Sequence, residues 1–345
     1  MAFSASEDLP GAGDRSWYPP AGTNLGATFF VRNAFPWLCQ YFGSQTIAST
    51  LSPGIQGVLS WGGRSPAKMA GAISRMRGLR RWNLEDGFLR SVGLGKAGAV
   101  PLSIVVDDLG LPVDAGRPSR LERLIAGAGT EAGEIGKAIR EQIVRHRISK
   151  YNHLPHKEPA IERTRKRRLL LVDQVVGDIS VGKALGSAAS FERMLADALA
   201  TGEQCVIRTH PDVMAGYRKG YLREAAKKHP GALFLQDPVS VASILDVVDE
   251  VWTVSSQFGM DALLRGIPVR CYAAPFYAGW GLTEDRFGVR AKAVLAGRRD
   301  KLRTVDQVTA AAFSLYPTYR DPRDWRLIDV FQAIELVVAQ QQAGR

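Results

Sequence analysis

The sequence predicts an α/β protein built from two Rossmann-like domains. The chain has 345 residues, which is long for one hydrophobic core and short for three. Short apolar runs alternate with helical stretches, as is typical of parallel sheets. The alternation stops at a basic run, RTRKRR (163–168), and then restarts. Hydrophobic residues make up 46% and charged residues 23% of the chain, the balance of a compact globular protein.

The first domain is predicted to span residues 25–162. Residues 1–24 are rich in Gly, Pro, Ser and Asp without periodicity, so we expect a flexible N-terminal segment. Strands are expected at 57–62 and 101–108, and helices at 65–76 and around 132–147. Alternation of this kind predicts a parallel sheet.

The second domain is predicted to span residues 163–320. Strands are expected at 168–174, 204–210, 232–236, 250–256 and 268–273, with helices between them. Five strands that alternate with helices in this way predict a Rossmann-like domain. Residues 321–345 carry apolar positions at helical spacing, which predicts a C-terminal helix. That helix either crosses back to the first domain or caps its own.

The net charge is +11 and the pI is near 9.7, so the surface attracts anions such as nucleic acid, anionic lipid headgroups or acidic substrates. The basic run lacks interleaved aromatic residues, which favours a solvated linker over a nucleic-acid arm. No apolar run is long enough to span a membrane, and the N-terminus lacks the features of a secretory signal. We therefore expect a cytoplasmic protein. The three cysteines lack metal-ligand spacing and are interpreted as buried apolar residues.

Ligands of doubly wound sheets bind at the carboxyl ends of the strands, where this chain carries four polar clusters. They are Glu85-Asp86-Gly87, the segment from Gln174 to Ser180, His210-Pro211, and Ser255-Ser256-Gln257. The adjacent carboxylates of the first cluster point to opposite faces of an extended segment unless Gly87 allows a turn.

The other clusters suit a phosphorylated ligand. Asp178 lies in a Gly-bearing loop, where a lone Asp is more often a helix N-cap than a catalytic group. Pro211 holds His210 in an extended conformation, from which its imidazole can donate to phosphate, although a surface histidine has the same pattern. Ser255 and Ser256 precede a predicted helix N-terminus and add donors for phosphate.

Two aromatic residues, Tyr277 and Trp280 in PFYAGWG, stack on a sugar or base in one interpretation and fill the core in the other.

Together these segments resemble the capsular polysaccharide β-Kdo transferases, the KpsC-like family of Gram-negative bacteria. The similar segments are WGGRSP (61–66), EDGFLRSVGLG (85–95), PLSIVVDDLGLPVDAGRPSRLE (101–122), KYN (150–152), VDQVVGDISVG (172–182), HPDVMAGYRKGY (210–221) and SSQFGMDALLRGIPVRCYAAPFYAGWGLTEDR (255–286). The chain has room for one catalytic module, whereas capsule-type members usually carry two in tandem.

The resemblance implies a GT-B fold, in which two Rossmann-like domains face a central cleft. It implies net retaining transfer of Kdo from CMP-β-Kdo to a lipid-linked or Kdo-terminated acceptor, without metal or cofactor. Asp178 would be the nucleophile, and Asp86, with Glu85 as the close alternative, would be the base. The pair Asp107-Asp108 is the one feature compatible with a metal.

In the same interpretation, His210, Pro211, Ser255, Ser256, Gln257, Gln174 and Arg208 bind the donor. Gly87, Arg90, Tyr277 and Trp280 contact the acceptor or sugar, and Arg208 or Arg90 pairs with the Kdo carboxylate. The expected partners are the anionic inner-membrane surface and other capsule-assembly transferases. The alternatives are a GT-B transferase or epimerase for another nucleotide sugar, and a noncatalytic partner of a polysaccharide assembly complex. Nucleic-acid binding ranks last because charge alone supports it.

Overall fold

A computed structural model shows two sheets, each covered by helices. It describes residues 15–43, 46–93, 95, 98–162, 164–209, 211–214, 216–227, 229 and 231–343, without the side chains of residues 211 and 212. The strands are β1 (Leu25–Ala27), β2 (Ala48–Ser49), β3 (Gly57–Trp61), β4 (Arg80–Asp86), β5 (Ser103–Asp107), β6 (Arg168–Val172), β7 (Gln204–Arg208), β8 (Ala232–Leu235), β9 (Glu250–Thr253), β10 (Val269–Cys271), β11 (Glu284–Asp285), β12 (Pro317–Arg320) and β13 (Leu327–Ile328).

Fourteen α-helices lie in the part of the chain that the structure describes, and a π-helical turn, Ala311–Leu315, follows the thirteenth. They are α1 (Phe29–Ala34), α2 (Leu38–Tyr41), α3 (Ser65–Met76), α4 (Arg120–Gly127), α5 (Thr130–Arg145), α6 (Ile179–Lys183), α7 (Ala188–Ala200), α8 (Pro211–Met214), α9 (Leu222–Ala226), α10 (Val241–Leu245), α11 (Phe258–Leu264), α12 (Val289–Leu295), α13 (Val305–Ala310) and α14 (Val330–Ala343).

The second domain contains a parallel six-stranded sheet in the order β11-β10-β9-β6-β7-β8. Its central strands β6 and β7 are runs of buried apolar residues, as expected where helices cover both faces. The strand order reverses beside β6, so the loop after β6 lies at the switch point where ligands bind. The prediction of a Rossmann-like second domain is confirmed.

The first domain contains a seven-stranded sheet in the order β13-β12-β5-β4-β3-β1-β2. Strands β1 to β4 are parallel, but β5 is antiparallel to β4, and β12 is antiparallel to β5. The expectation of a wholly parallel sheet was therefore wrong at residues 101–108. The described part of the β4–β5 connection contains no α-helix, and a parallel crossover needs such a covering element.

The C-terminal part of the chain returns to the first domain. Strands β12 and β13 extend the first sheet, although β12 lies in the range assigned to the second domain from the sequence. Helix α13 packs closely on α5, because Gly136 has no side chain: a Cβ there would lie 1.8 Å from the Asp306 carbonyl oxygen. Helix α14 contacts α5 and β12, so the C-terminal helix crosses back rather than capping the second domain.

Residues 15–24 pack against the first sheet, which differs from the expected flexible segment. Trp17 is buried and its carbonyl accepts a hydrogen bond from the Trp82 indole at 2.7 Å, while Arg15 donates to the Thr318 hydroxyl at 2.6 Å. Burial of the Trp17 ring explains the order, since a large aromatic side chain contributes much apolar area. Residues 1–14 lie outside the described part of the chain.

One hydrophobic core joins the domains. Leu102, Val105 and Ile139 of the first domain belong to the same buried cluster as Leu170 and Val251 of the second. Cys205 and Cys271 are buried as predicted, but Cys39 is only half-buried. None of the helices in the described part of the chain combines the length and the apolar character of a membrane span.

Candidate functional site

Glu85 lies at the carboxyl end of β4, beside the Gly62 backbone at the end of β3. Burial raises the pKa of Glu85 to about 7, an effect that the nearby Lys150 ammonium opposes and the charges of Asp86 and Asp178 increase. A carboxyl group with a pKa near neutrality accepts and releases protons at physiological pH. A Cβ on Gly63, the residue after Gly62, would lie 2.7 Å from Lys183 Cε of the second domain, so this end of the sheet faces the domain junction.

Asp86 is engaged in an ion pair. Its Oδ2 lies 2.9 Å from Arg90 Nε, and the buried Arg90 guanidinium also donates to the Ser91 hydroxyl at 2.9 Å and the Ala99 carbonyl at 3.1 Å. The structure therefore gives both side chains partners within the first domain. Gly87 is packed against Ser103, whose hydroxyl oxygen would lie 2.0 Å from a Cβ, so glycine is required there for close approach of β4 and β5.

In the second domain, Gln174 connects two of the predicted clusters. Its Nε2 lies 3.4 Å from Asp178 Oδ2, 3.3 Å from Ser180 Oγ and 3.2 Å from Ser255 Oγ, and its Oε1 accepts the Ser255 N–H at 3.1 Å. The loops after β6 and β9 are thus held together by one amide. This convergence follows from the parallel sheet, in which β6 and β9 are neighbours.

Asp178 is the N-cap of α6, where its Oδ1 accepts the Ser180 N–H at 2.9 Å. Asp178 therefore has the helix N-cap position that is common for a lone Asp in such a loop. The other carboxylate oxygen, Oδ2, contacts Gln174, and the residue is half-buried. A carboxylate anchored in this way has a fixed orientation, which a nucleophile also requires.

The Ser255-Ser256-Gln257 segment precedes α11. The Ser256 hydroxyl accepts the Phe258 N–H at 3.3 Å, a local turn contact. The N-cap of α11 is Gln257, which makes no side-chain capping bond, so neither serine is the N-cap residue. The Gln257 amide donates across the junction to the Phe88 carbonyl at 3.3 Å. Gln257 therefore links the loop after β9 directly to the first domain.

His210 lies outside the described residues, and Pro211 is described only by its backbone at the start of α8. Arg208 ends β7, two residues before His210. Burial lowers the pKa of Arg208 to about 10, and the nearby Asp261 carboxylate opposes this shift. The guanidinium carbon lies 5.1 Å from the centroid of the Phe258 ring, a cation–π contact.

Tyr277 and Trp280 are fully buried, so the core-filling interpretation applies to both. The Tyr277 hydroxyl donates to the Ser256 carbonyl at 2.5 Å, and the Trp280 indole donates to the Phe276 carbonyl at 2.8 Å. The alternative interpretation, in which these rings stack on a sugar or base, does not apply because neither ring has an exposed face. Tyr277 instead supports the loop that carries Ser256.

Asp107 and Asp108 are occupied by protein donors. Asp107 is buried and accepts the N–H groups of Leu109, Gly110 and Arg120 and the Tyr316 hydroxyl, all within 2.8–2.9 Å. Asp108 forms ion pairs with Arg80 at 3.1 Å and Arg120 at 2.9 Å. The pair thus shapes the connection to α4. Within the described residues, no group of three His, Cys, Asp or Glu side chains is placed to hold a metal.

Lys150 is the residue that analysis of the sequence overlooked as a site residue. It is half-buried in the segment that follows α5, and its charge lowers the pKa of both Glu85 and Asp261. Only its presence in the KYN segment distinguished it in the sequence. A lone lysine between domains has no periodicity or spacing that would reveal its position.

The domains are held together by charged contacts around this site. Lys183, at the end of α6, lies 2.5 Å from Asp114 of the first domain. Glu122 of α4 binds Arg298 at 2.8 Å and Arg299 at 3.0 Å, and Arg299 also donates to the carbonyls of Pro275 and Ala278. Through Arg299, the first-domain residue Glu122 is therefore connected to the loop that contains Tyr277.

Similarity to known proteins extends over most of the chain. The family described as capsule polysaccharide biosynthesis protein matches residues 56–319. The capsule polysaccharide modification protein LipA of Neisseria meningitidis serogroup B is 38% identical over 288 residues, which cover 81% of this chain and 41% of LipA. The lipopolysaccharide-processing protein LpsZ of Rhizobium meliloti is 37% identical over 251 residues, covering 69% of this chain and 54% of LpsZ. The chain thus spans about half or less of the length of these relatives.

Solved structures of two beta Kdo transferases are also similar to this chain. The beta Kdo 2,4 transferase of Thermosulfurimonas dismutans KpsC superposes with a TM-score of 0.83 at 35% identity, covering 92% of this chain and 98% of that one. The beta Kdo 2,7 transferase of the same KpsC superposes with a TM-score of 0.66 at 25% identity and the same coverage. The two-domain GT-B fold implied by the resemblance is confirmed. The chain belongs to the KpsC-like family of capsule polysaccharide biosynthesis proteins.

Proposed function

We propose that this chain is a retaining β-Kdo glycosyltransferase that uses CMP-β-Kdo in the synthesis of a capsular or surface polysaccharide. Its acceptor is lipid-linked or ends in Kdo. The similarity to two Kdo transferases of known structure supports Kdo as the transferred sugar. The observation that carries the proposal is the position of two carboxyl groups at strand ends of different domains: Glu85 lies at the end of β4, and Asp178 follows β6 at the start of α6. The two ends meet at Gly63, where a Cβ would lie 3.1 Å from Ile179 Cδ1 of α6.

The second domain binds CMP in this proposal. The hydroxyls of Ser255 and Ser256, together with His210, donate to the phosphate, and Gln174 keeps the two donor loops in register. Fixed donors at the position where negative charge develops stabilise the departing phosphate without reorganisation. Tyr277 supports the same loop through the Ser256 carbonyl.

Asp178 is the nucleophile. Its carboxylate attacks the anomeric carbon of Kdo, the bond from that carbon to the phosphate oxygen breaks, and CMP leaves with the electron pair. The Gln174 amide and the Ser180 N–H hold the carboxylate in place. The product of this step is a covalent Kdo–Asp178 ester with inverted configuration.

Glu85 is the base in the second step, which the geometry favours over Asp86. Glu85 has a pKa near neutrality, whereas the Asp86 carboxylate is ion-paired with Arg90. The acceptor hydroxyl loses its proton to Glu85 as its oxygen attacks the anomeric carbon and displaces Asp178. The second inversion restores the original configuration, so the overall transfer is retaining.

We place the protein in the cytoplasm at the inner membrane, where its basic surface meets anionic lipids and other capsule-assembly transferases. The net charge of +11 supports this placement. The reaction as written needs neither metal nor cofactor, because the phosphate charge is met by protein donors.

The proposal is tested by incubating the protein with CMP-Kdo and synthetic lipid-linked or Kdo-terminated acceptors, and determining the product linkage by NMR. We expect a β-linked Kdo product. UDP- and GDP-sugars serve as control donors and should give none. Transfer from a control donor, an α-linked product, or no transfer to any acceptor would contradict the proposal.

A further inference from the structure

Asp173 is a buried carboxylate that the mechanism above does not use. It directly follows β6, where the strand order of the second sheet reverses. Its Oδ1 accepts the N–H groups of Gln174 and Leu222, each at 2.9 Å, whereas its Oδ2 is buried without a hydrogen-bond partner among the described residues. Burial of a carboxylate is costly, so its presence at this strand end requires a structural reason.

The unpartnered oxygen lies against Gly220. A Cβ on Gly220 would lie 2.1 Å from Asp173 Oδ2, so only glycine leaves room for the carboxylate. Leu222, two residues later, supplies one of the N–H groups that Asp173 Oδ1 accepts. Asp173 therefore fixes the segment that contains Gly220 and Leu222 against the end of β6.

That segment pairs with the loop after β6 through its backbone. The contacts are an antiparallel bridge between Val175 and Gly220, an N–H bond from Val176 to the Lys219 carbonyl at 2.8 Å, and an N–H bond from Tyr221 to the Gln174 carbonyl at 3.2 Å. Residues 173–177 and 219–222 thus form a short two-stranded clamp. Asp173 is the side chain that closes it, because its carboxylate binds N–H groups of both segments.

Tyr221 attaches the clamp to the helical layer of the domain. Its ring stacks on Phe191 of α7, with 4.3 Å between the ring centroids and 6° between the ring planes. Its hydroxyl accepts the Gly177 N–H at 3.4 Å, and the Asp178 N–H donates to the Val175 carbonyl at 2.9 Å. The clamp therefore extends up to the residue that precedes Asp178.

We propose that Asp173 is a positioning residue, which holds Gln174 and the following loop so that the Asp178 carboxylate is aligned for attack. This inference rests on the proposed function. Asp173 acts through the clamp and does not touch the sugar. Because the Gln174 amide contacts Asp178, a shift of residue 174 displaces the nucleophile. A misplacement of about 1 Å at a reacting group costs about a hundredfold in rate.

The test compares kcat, the rate of Kdo-adduct formation without acceptor, and CMP affinity in variants of the full chain. Asp173→Ala should lower kcat and the rate of adduct formation about ten- to a hundredfold, while CMP affinity, measured by calorimetry, changes little. Asp173→Asn keeps the oxygen that accepts both N–H groups and should retain most of the turnover. Asp249→Ala is the matched control, because the Asp249 carboxylate accepts the Arg168 N–H at 2.7 Å at the opposite end of β6. This control should keep the turnover of the wild type.

Gly220→Ala tests the same contact without removing the carboxylate, and it keeps the inference falsifiable if Asp173→Ala does not fold. The added Cβ displaces Asp173, so kcat should fall as it does in Asp173→Ala. In the double variant the carboxylate is gone, and Gly220→Ala should cause no further loss. Losses that multiply in the double variant would show that the two residues act independently and would overturn the inference.

The remaining outcomes separate this inference from the proposed function. Wild-type turnover in Asp173→Ala would overturn the positioning role and leave the proposed function standing. An equal loss of kcat and CMP affinity, or an equal loss of kcat in Asp249→Ala, would make Asp173 a residue of general stability and would also overturn the role. If wild-type protein transfers nothing from CMP-Kdo, the proposed function is wrong and the positioning role is wrong with it.

Discussion

Lys183 Nζ lies 2.5 Å from Asp114 Oδ2, and this ion pair joins the end of α6 to the first domain. The same helix carries Asp178, the proposed nucleophile, at its N-cap, so the contact fixes the position of this helix relative to the first domain. The Ala115 N–H adds a bond of 2.9 Å to the Lys183 carbonyl. Contact between the domains is thus coupled to the placement of Asp178.

A double-mutant cycle measures that ion pair. Lys183→Met and Asp114→Asn should each lower the free energy of unfolding, with a coupling energy of about 1 kcal/mol because both side chains are partly exposed to water. Chemical denaturation of the four proteins gives the value. Additive single effects would show that the pair contributes no coupling.

Replacement of Asp178 by Asn should abolish transfer and leave CMP affinity nearly intact. Asn still caps α6, whereas Asp178→Ala also loses the cap, at a cost of about 1 kcal/mol in stability. Loss of a transition-state interaction lowers turnover without a matching loss of ground-state binding. Wild-type protein given donor without acceptor should accumulate a Kdo adduct on the peptide containing Asp178, which mass spectrometry detects. An adduct on Glu85 or Asp86 would exchange the assigned roles.

Transfer should depend on pH through Glu85, whose pKa is about 7. Since the base acts in its ionised form, kcat/KM should rise as the pH increases through 7, and Glu85→Gln should remove this rise along with most activity. A matched Asp86→Asn variant should keep the rise. An unchanged profile in Glu85→Gln would assign the titration to another group.

The same carboxyl group predicts how stability changes with pH. Its pKa rises from 4.5 to about 7 on folding, so the folded protein retains the proton that the unfolded chain releases. The contribution of Glu85 to stability is therefore fully present below pH 4.5 and is lost as the pH increases through 7. Denaturation of wild type and Glu85→Gln across this range should show stability differences that change with pH, whereas a constant difference would contradict the shift.

CMP should bind in the presence of a metal chelator, and His210→Ala should weaken it by about 1.5–3 kcal/mol, as for hydrogen bonds to charged groups. Calorimetric titration provides both measurements. His229→Ala is the control. Equal affinity in wild type and His210→Ala would remove His210 from the site, and loss of binding in chelator would show a metal requirement.

The sequence predicted the second domain better than the first. All five of its predicted strands are present, because runs of buried apolar residues are distinctive in a parallel sheet. The direction of β5 was not predicted, because a buried apolar strand has the same sequence pattern in a parallel and in an antiparallel pair. In the candidate site, the engagement of Asp86 by Arg90 was not predicted, and the choice between stacking and core filling stayed open for Trp280, because both depend on tertiary packing.

The return of the chain to the first sheet has a consequence for synthesis on the ribosome. Strand β12 pairs with β5, and α13 packs on α5, so the earlier half of the molecule lacks an edge strand and a covering helix until the later half has been translated. Residues 25–162 alone leave that edge exposed to mispairing. A fragment intended to represent the first domain must therefore carry residues 305–343 as well, for example through a circular permutation.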